Sequence, residues 1–183
     1  MLVNGTHLVL DACCVLNFGA SGSFVPILQA LPAQVVVTQV VRERELLSLR
    51  RLTDANHDAA NQFEAAIEQG LLIVEDFAND REAETFVNYA SVLGDDGESA
   101  TCAIAVHRQW AIATDDRQAI NFFQQEAPQL QILSSLEIIK HWSEVSTITL
   151  AELRSALLNI RTRGRYVPHR NHPLLSWWQD AME

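Results

Sequence analysis

The stretch HLVLDA, residues 7–12, is a short apolar run that ends beside an acid, Asp11. Its valine and leucines predict a buried β-strand, and the polar residues at 17–23 predict a turn after it. Four more runs of this kind follow along the chain: VVVT at 35–38, LLIVED at 71–76, AIAT at 111–114 and LQIL at 130–133. The sequence therefore predicts five short strands with buried side chains.

Helices are predicted between these strands. Their ranges are 39–52, with Thr38 as N-cap, a segment from Asp54 to Gly70, then 80–93, 98–109, 117–126 and 136–142. Strands that alternate with helices indicate right-handed crossovers and a parallel sheet covered on both faces. We expect a three-layer α/β/α fold with a central parallel sheet of about five strands.

The chain divides into a main domain, residues 1–146, and a C-terminal extension, residues 147–183. The extension begins with a predicted helix at 150–160 and continues as an irregular tail, GRYVPHRNHPLLSWWQD. Trp177 and Trp178 are costly to leave in water because of their large apolar area, so we expect the tail to pack on the core.

Composition excludes several classes of protein. No apolar run approaches the roughly 20 residues that span a bilayer, and the start of the chain lacks the basic region of a secretory signal. The cysteines, Cys13, Cys14 and Cys102, form no C-x-x-C pair, so we expect buried thiols and not a disulfide framework or a zinc site. We therefore expect a cytoplasmic protein that does not associate with membranes.

Carboxylates collect where the predicted strands end. Asp11 follows the first strand, Asp115 and Asp116 follow the fourth, and GDDGESAT at 94–101 places Glu98 at the start of a helix. In a parallel sheet, sites form beyond the carboxyl ends of the strands, so these acids should converge. Because like charges at close range repel strongly, a bound divalent cation would explain the convergence; Mg²⁺ and Mn²⁺ prefer carboxylate oxygens.

Each of these acids also has a simpler structural explanation. Asp11 suits a turn or a helix N-cap. Asp95 followed by Glu98 has the pattern of a capping box, in which each residue bonds to the backbone of the other. One member of the pair Asp115 and Asp116 suits the N-cap of the next helix, but a cap does not need both.

The helix predicted at 39–52 carries two further candidate acids. Glu43 shares one face with Val40 and Leu47, whereas Glu45 shares the neighbouring face with Val41 and Leu49. Both faces contain apolar residues at helical spacing, so periodicity does not choose between the two acids. A solvated helix face remains the alternative for either one.

Three blocks of the sequence resemble the PIN-domain ribonucleases, a family that includes toxins of the bacterial VapC-like toxin–antitoxin systems. LVLDACCVLNF at 8–18 is similar to the opening strand of the family and carries Asp11 and Asn17. VVVTQVVRE at 35–43 is similar to its second strand and helix and selects Glu43. GESATCAIAVHRQWAIATDD at 97–116 is similar to its third block and matches Glu98 and Asp116 to family acids.

The resemblance spans residues 7–142 and includes two departures. Glu98 stands where many members have Asp, and the segment beyond residue 146 is longer than in the smallest members. Neither departure removes a carboxylate, because Glu98 offers the same oxygen ligands as Asp.

The resemblance implies a metal-dependent endoribonuclease that hydrolyses RNA phosphodiester bonds. Asp11, Glu43, Glu98 and Asp116 would be its catalytic residues. Asp11, Glu98 and Asp116 would hold Mg²⁺ or Mn²⁺ directly, Asp115 would bind a second ion, and Glu43 would orient or deprotonate the attacking water. A small antitoxin protein and a second copy of the chain, in a homodimer, are the expected protein partners. The alternative is a PIN module that keeps its acids but acts by binding protein or RNA, with negligible turnover.

Residues that contact the RNA are expected at two places. Thr114 would hold a ligand or a phosphate through its hydroxyl, and Asn17 is a further polar candidate near Asp11. The chain has a net charge of −10, yet residues 153–179 contain five arginines and no acid. A solvated helix face and tail would also explain that composition. We expect four of these arginines to contact phosphate groups: Arg161, Arg163, Arg165 and Arg170.

Overall fold

A computed structural model describes residues 2–52 and 58–183. Within these residues, five parallel strands form one sheet. The strands are β1 (His7–Leu10), β2 (Gln34–Thr38), β3 (Leu72–Glu75), β4 (Ala111–Ala113) and β5 (Ile132–Leu133). Their order across the sheet is β3-β2-β1-β4-β5. The central strand, β1, pairs with β2 on one side and β4 on the other.

Ten helices accompany the sheet in the same part of the chain. They are α1 (Ala12–Ser21), α2 (Phe24–Gln29), α3 (Gln39–Leu52), α4 (Ala59–Glu68), α5 (Asp80–Leu93), α6 (Asp96–Arg108), α7 (Arg117–Glu126), α8 (Ser135–Val145), α9 (Leu150–Thr162) and α10 (Leu175–Met182). None of them has the length and apolar character that crossing a membrane requires.

Side chains of the central strand alternate between two apolar cores, as strand geometry requires. Leu8 and Leu10 lie in the larger core, with buried residues of α1 to α4 and α8 to α10. Val9 lies in the smaller core, with buried residues of α5, α6 and α7. The sheet is therefore covered by helices on both faces, and the predicted three-layer α/β/α fold is confirmed.

Local capping signals fix several helix boundaries where they were predicted. Thr38 Oγ1 accepts a hydrogen bond from Val41 N at 3.1 Å at the start of α3. Asn79 accepts one from Glu82 N at 3.1 Å at the start of α5, and Gly94 ends that helix with a φ of 74°. The predicted helix start at Asp54 lies outside the described residues; α4 is capped by Asp58.

The predicted turn at 17–23 is wrong, because α1 runs through most of it. Asp11 caps the start of α1, and Gly22, with a φ of 79°, ends it. Asn17 and Ser21 are turn-forming residues in isolation, yet both are buried inside this helix. Their polar groups find partners there: Ser21 Oγ donates to Phe18 O at 2.6 Å, and Asn17 bonds to other elements.

The C-terminal extension is also more regular than expected. Its predicted irregular tail contains the helix α10, on which Trp178 is buried and Trp177 is partly buried. Trp178 and residues of α9 such as Leu157 belong to the larger core. Residues 163–174 between the two helices include Tyr166, whose ring lies edge-on to Trp178 with centroids 6.1 Å apart.

Candidate active site

Asp11 lies between β1 and α1, at the carboxyl end of the central strand, and is 1% exposed. Its Oδ1 accepts a hydrogen bond from Ala12 N at 2.7 Å, and its Oδ2 accepts one from Thr114 Oγ1 at 2.7 Å. Burial raises the pKa of Asp11 to about 6, even though these hydrogen bonds lower it. Among the described residues, no cationic side chain pairs with this buried carboxyl group.

Thr114 joins this carboxylate to the backbone of a second acid, Asp116. It is buried directly after β4, and its hydroxyl oxygen accepts a hydrogen bond from Asp116 N at 3.1 Å while its proton goes to Asp11. Asp116 caps α7, where its Oδ1 accepts from Gln118 N at 2.7 Å and Ala119 N at 2.9 Å. The Thr114 hydroxyl is thus bonded to the carboxylate of Asp11 and to the backbone N–H of Asp116, and it is not turned to a phosphate.

Glu98 is half-buried in the first turn of α6. In the described part of the chain, no hydrogen bond or ion pair reaches its carboxylate. Burial, together with the negative charges of Asp11, Asp116 and Asp95, raises the pKa of Glu98 to about 7. The folded chain therefore brings the predicted acids Asp11, Glu98 and Asp116 into one electrostatic neighbourhood.

The capping-box explanation does not account for Glu98. Asp95 caps α6 by accepting Glu98 N at 3.0 Å, but the return bond from the Glu98 side chain is not formed. Glu137 and Glu152 hold the same third position in α8 and α9, and each bonds back to its N-cap backbone, at 2.8 Å and 2.7 Å. Glu98 differs from both because its carboxylate accepts no hydrogen bond from the described residues.

Asp115, the residue before Asp116, has a hydrogen-bond network of its own. Its Oδ1 accepts Ser135 N at 3.0 Å and the Tyr166 hydroxyl at 3.4 Å, and its Oδ2 accepts Asn17 Nδ2 at 3.0 Å. Burial raises the pKa of Asp115, and the bonds from Ser135 and Asn17 lower it. Asn17 Nδ2 also donates to Ser135 Oγ at 3.2 Å, so both of its amide protons have protein partners.

Cys13 connects the two groups of acids, a position that the sequence analysis missed. Its Sγ lies 3.4 Å from Asp11 Oδ2 and accepts a hydrogen bond from Asp115 N at 3.2 Å. Among the described residues, three potential ligand atoms lie within 4.8 Å of one another, and they belong to Cys13, Cys14 and Asp115. Burial raises the pKa of Cys14, and a set with two thiols does not suit Mg²⁺ or Mn²⁺. The only signal in the sequence was the position of Cys13, two residues after Asp11.

Glu43 lies on the exposed side of α3, and its Oε1 accepts a hydrogen bond from Gln39 Nε2 at 2.7 Å. No described contact joins it to Asp11 or Glu98. The helical spacing predicted that Glu43 shares an apolar face with Leu47. That prediction is wrong, because Leu47 is 60% exposed. The buried residues of α3 are Val41 and Leu49, on the face that Glu45 shares.

The structure divides the four arginines of the extension into two pairs. Arg161 and Arg170 are exposed and line no described cavity that contains another arginine. Arg163 and Arg165 line a cavity of about 510 Å³ together with Arg51 of α3. The sequence gave no reason to group Arg51 with the extension, because more than a hundred residues separate them.

No protein-family model matches the chain, and no curated protein is significantly similar to it. The resemblance to PIN-domain ribonucleases therefore stays a hypothesis, and the chemistry of the site has to be judged from its own residues.

The donor chemistry of Asp11, Glu98 and Asp116 suits a hard divalent cation, although their carboxylate oxygens are not among the described ligand atoms that lie within 4.8 Å of one another. Both oxygens of Glu98 and the Oδ2 atom of Asp116 accept no hydrogen bond from the described residues. The charges of Asp11, Asp116 and Asp95 raise the pKa of Glu98, which is the charge pattern that a cation would relieve. Oxygen ligands of this kind are the ones that Mg²⁺ and Mn²⁺ take.

Proposed function

We propose that the protein is a divalent-metal-dependent endoribonuclease that hydrolyses RNA phosphodiester bonds. Asp11, Glu98 and Asp116 would hold Mg²⁺ or Mn²⁺. The observation that carries the proposal is the half-buried carboxylate of Glu98, which has no described donor and faces the charges of Asp11, Asp116 and Asp95. When bound, the cation supplies positive charge that attracts the phosphate, activates water and stabilises the leaving oxygen.

Several residues of the chain would prepare this site. Thr114 bonds to the carboxylate of Asp11 and to the backbone of Asp116 on adjacent strand ends, which would restrict rearrangement of the site on binding. The first turn of α6 presents Glu98 to them. Glu43 is assigned to orient or deprotonate the attacking water, an assignment that rests on the resemblance alone.

Asp115 has a different role in this proposal. Because Asn17, Ser135 and Tyr166 already bond to its carboxylate, it serves as an anchor for the loop that carries Asp116. Binding of a second ion would require it to exchange at least one of these bonds. Asn17 likewise acts on Asp115 and not directly on RNA.

The resemblance extends the proposal to the biological setting. The protein would be the toxin of a toxin–antitoxin pair, with RNA as substrate, a small antitoxin protein as inhibitor and a second copy of the chain as partner in a homodimer. A cytoplasmic location belongs to the same proposal.

Cleavage of mixed RNAs by Glu98→Gln protein tests the proposal, with Glu152→Gln as the matched control. Both glutamates occupy the third position of a helix, but only Glu152 completes a capping box. We expect Mg²⁺ or Mn²⁺ to support cleavage by wild-type and Glu152→Gln proteins, EDTA to stop it, and Glu98→Gln to lack it. Wild-type activity of Glu98→Gln in saturating metal would contradict the site. RNA binding without cleavage by the wild type would favour the binding-module alternative.

A further inference from the structure

A cavity of about 510 Å³ lies where the C-terminal ends of α3 and α9 approach α1. Three of its lining residues are arginines, two carry hydroxyls, and no acid is among the described residues that line it. In a chain with a net charge of −10, this is a local reversal of sign. The lining residues are Leu16, Ser48, Arg51, Leu52, Thr162, Arg163, Gly164 and Arg165.

The backbone around Arg165 fixes the position of this residue at the cavity. Arg165 has a φ of 55°, a left-handed conformation that costs an L-residue roughly 1 kcal/mol. The following residue holds it there: Tyr166 N donates to Ile160 O at 3.2 Å, and the Tyr166 hydroxyl donates to Asp115. Across the cavity, Arg163 Nη2 donates to Leu52 O and so ties the end of α9 to the end of α3.

The cavity adjoins the candidate active site through Asn17. Gly164 packs so closely against α1 that a Cβ atom there would lie 3.2 Å from Asn17 Oδ1 and 3.2 Å from Ala20 Cβ. The amide of Asn17 in turn donates to Asp115, the neighbour of Asp116. One buried side chain therefore separates the cavity wall at Gly164 from the acidic loop.

We propose that this cavity binds a backbone phosphate of the RNA strand whose scissile bond lies at Asp11, Glu98 and Asp116; the inference rests on the proposed function. Guanidinium groups match phosphate geometry and keep their charge at any physiological pH. Arg51 and Arg165 are exposed, so a strand has access to them. The acidic cluster attracts one phosphate only with its cation, whereas the arginines attract another without it.

The test is equilibrium binding of a fluorescein-labelled single-stranded RNA across a range of KCl concentrations. The protein carries Glu98→Gln throughout, so that the strand stays intact, and Mn²⁺ is present. Arg51→Gln/Arg165→Gln is compared with Arg50→Gln/Arg81→Gln, which removes two charges from exposed arginines outside the cavity. Glutamine is compatible with the backbone at position 165, because Gln109 already adopts a φ of 56° in this chain.

We expect the cavity variant to weaken binding at low salt by about tenfold or more. Its slope of log Kd against log salt should fall by about 0.7, which is the change for one lost phosphate contact on a single strand. The control pair should keep the slope of the parent protein. Equal slopes for the cavity variant and the parent, with melting curves that show both are folded, would overturn the inference.

Two further results separate this inference from the proposed function. Cleavage by the wild-type protein together with an unchanged slope would leave the function standing and remove the cavity from RNA binding. A reduced slope without any cleavage by the wild type would keep the cavity as an RNA-binding site and remove the proposed nuclease function. If the cavity variant loses binding of inorganic phosphate or a mononucleotide but not of RNA, the cavity serves small phosphates, and the RNA assignment is overturned.

Discussion

The two ends of α6 hold acids in opposite circumstances. At its C-terminal end, Arg108 donates through Nε to Glu82 Oε1 at 2.9 Å and through Nη1 to Glu75 Oε2 at 2.7 Å. The Arg108 hydrogen bonds lower the pKa of Glu82, which is 2% exposed. At its N-terminal end, burial and neighbouring acids raise the pKa of Glu98 to about 7, although a helix N-terminus favours negative charge.

This difference separates an acid that serves the fold from one that does not. Glu82 is buried with an arginine, the ordinary way in which a protein tolerates a carboxylate in its interior. Glu98 is half-buried near other acids, whose charges destabilise its charged form. Arg44 pairs with Asp95 and Asp96 at this end of the helix but makes no described ion pair with Glu98. A bound cation would stabilise the charged form of Glu98 as Arg108 stabilises the charged form of Glu82.

The largest expected effect is on catalysis. Asp11→Asn or Asp116→Asn should lower RNA cleavage by more than about a hundredfold, because each removes a proposed metal ligand and not merely a supporting group. Both proteins should stay folded, since asparagine caps helices as well as aspartate does. The measurement is the single-turnover cleavage rate in saturating Mg²⁺ or Mn²⁺, with circular dichroism as the check on folding. A wild-type cleavage rate in either variant would show that the substituted carboxylate is not a metal ligand that catalysis needs.

The next effect is on stability at the other end of the helix. Arg108→Met leaves Glu82 buried without its cation, which should cost about 3 to 5 kcal/mol of unfolding free energy. Urea denaturation measures this loss, and Glu82→Gln in the same protein should recover part of it. RNA cleavage well below the melting temperature should be unchanged. A loss below about 1 kcal/mol, the size expected of an exposed ion pair, would show that the Arg108 cluster contributes little.

Divalent cations should stabilise the folded chain by binding near the N-terminal end of α6 and not near Arg108. Asp11, Glu98 and Asp116 come from separate segments, so only the folded chain offers them together, and a ligand at a hundredfold excess over Kd adds about 2.7 kcal/mol. Millimolar Mn²⁺ should therefore raise the melting temperature of the wild type and of Arg108→Met, but not of Asp11→Asn. NaCl at equal ionic strength is the control. If it matches the shift given by Mn²⁺, the carboxylates are not a metal site.

The smallest expected effect is the pH dependence of stability without divalent cations. Glu98 and Asp11 have folded-state pKa values of about 7 and about 6, above their ordinary values of 4.5 and 3.8. The folded chain therefore holds protons that the unfolded chain releases, so their contribution is present at low pH and is lost as the pH rises through 6 to 7. Melting temperatures between pH 5 and 8 should fall less steeply in Asp11→Asn/Glu98→Gln than in the wild type.

Glu82 gives the opposite sign and so provides the control for that measurement. Its folded-state pKa is lowered, mainly by the Arg108 hydrogen bonds, so its contribution is present above its ordinary pKa of 4.5 and is lost as the pH falls. Glu82→Gln should therefore change the melting profile below pH 5 and leave the slope between pH 5 and 8 intact. If Glu82→Gln flattens the slope of melting temperature between pH 5 and 8, the pH dependence in that range comes from Glu82 and not from Glu98 and Asp11.

Most of the secondary structure could be predicted because its signals are local. The helices at 39–52, 80–93 and 117–126 begin and end at the predicted residues, where caps and apolar spacing act within a few positions. The turn predicted at 17–23 failed for the opposite reason. Asn17 can be helical and buried only because Asp115 and Ser135, distant in sequence, take its amide protons.

The candidate site divides along the same line. The sequence placed Asp11, Asp115 and Asp116 after strands and Glu98 at a helix start, since parallel strands put such residues at one edge of the sheet. It did not distinguish their environments: three donors, 98, 20 and 51 residues away, bond to Asp115. Glu98 has no such partner in the described chain.

The sequence by itself therefore determined which acids are present and which edge of the sheet they share. Tertiary structure alone decided which of them are neutralised. Arg108 reaches Glu82 across 26 residues, and Arg51 lies beside Arg163 and Arg165, more than a hundred residues away in the sequence. No cationic side chain of the described residues pairs with Glu98. The physical reason is that the pKa of a carboxyl depends on burial and on nearby charges and donors, and these are set by packing between distant segments.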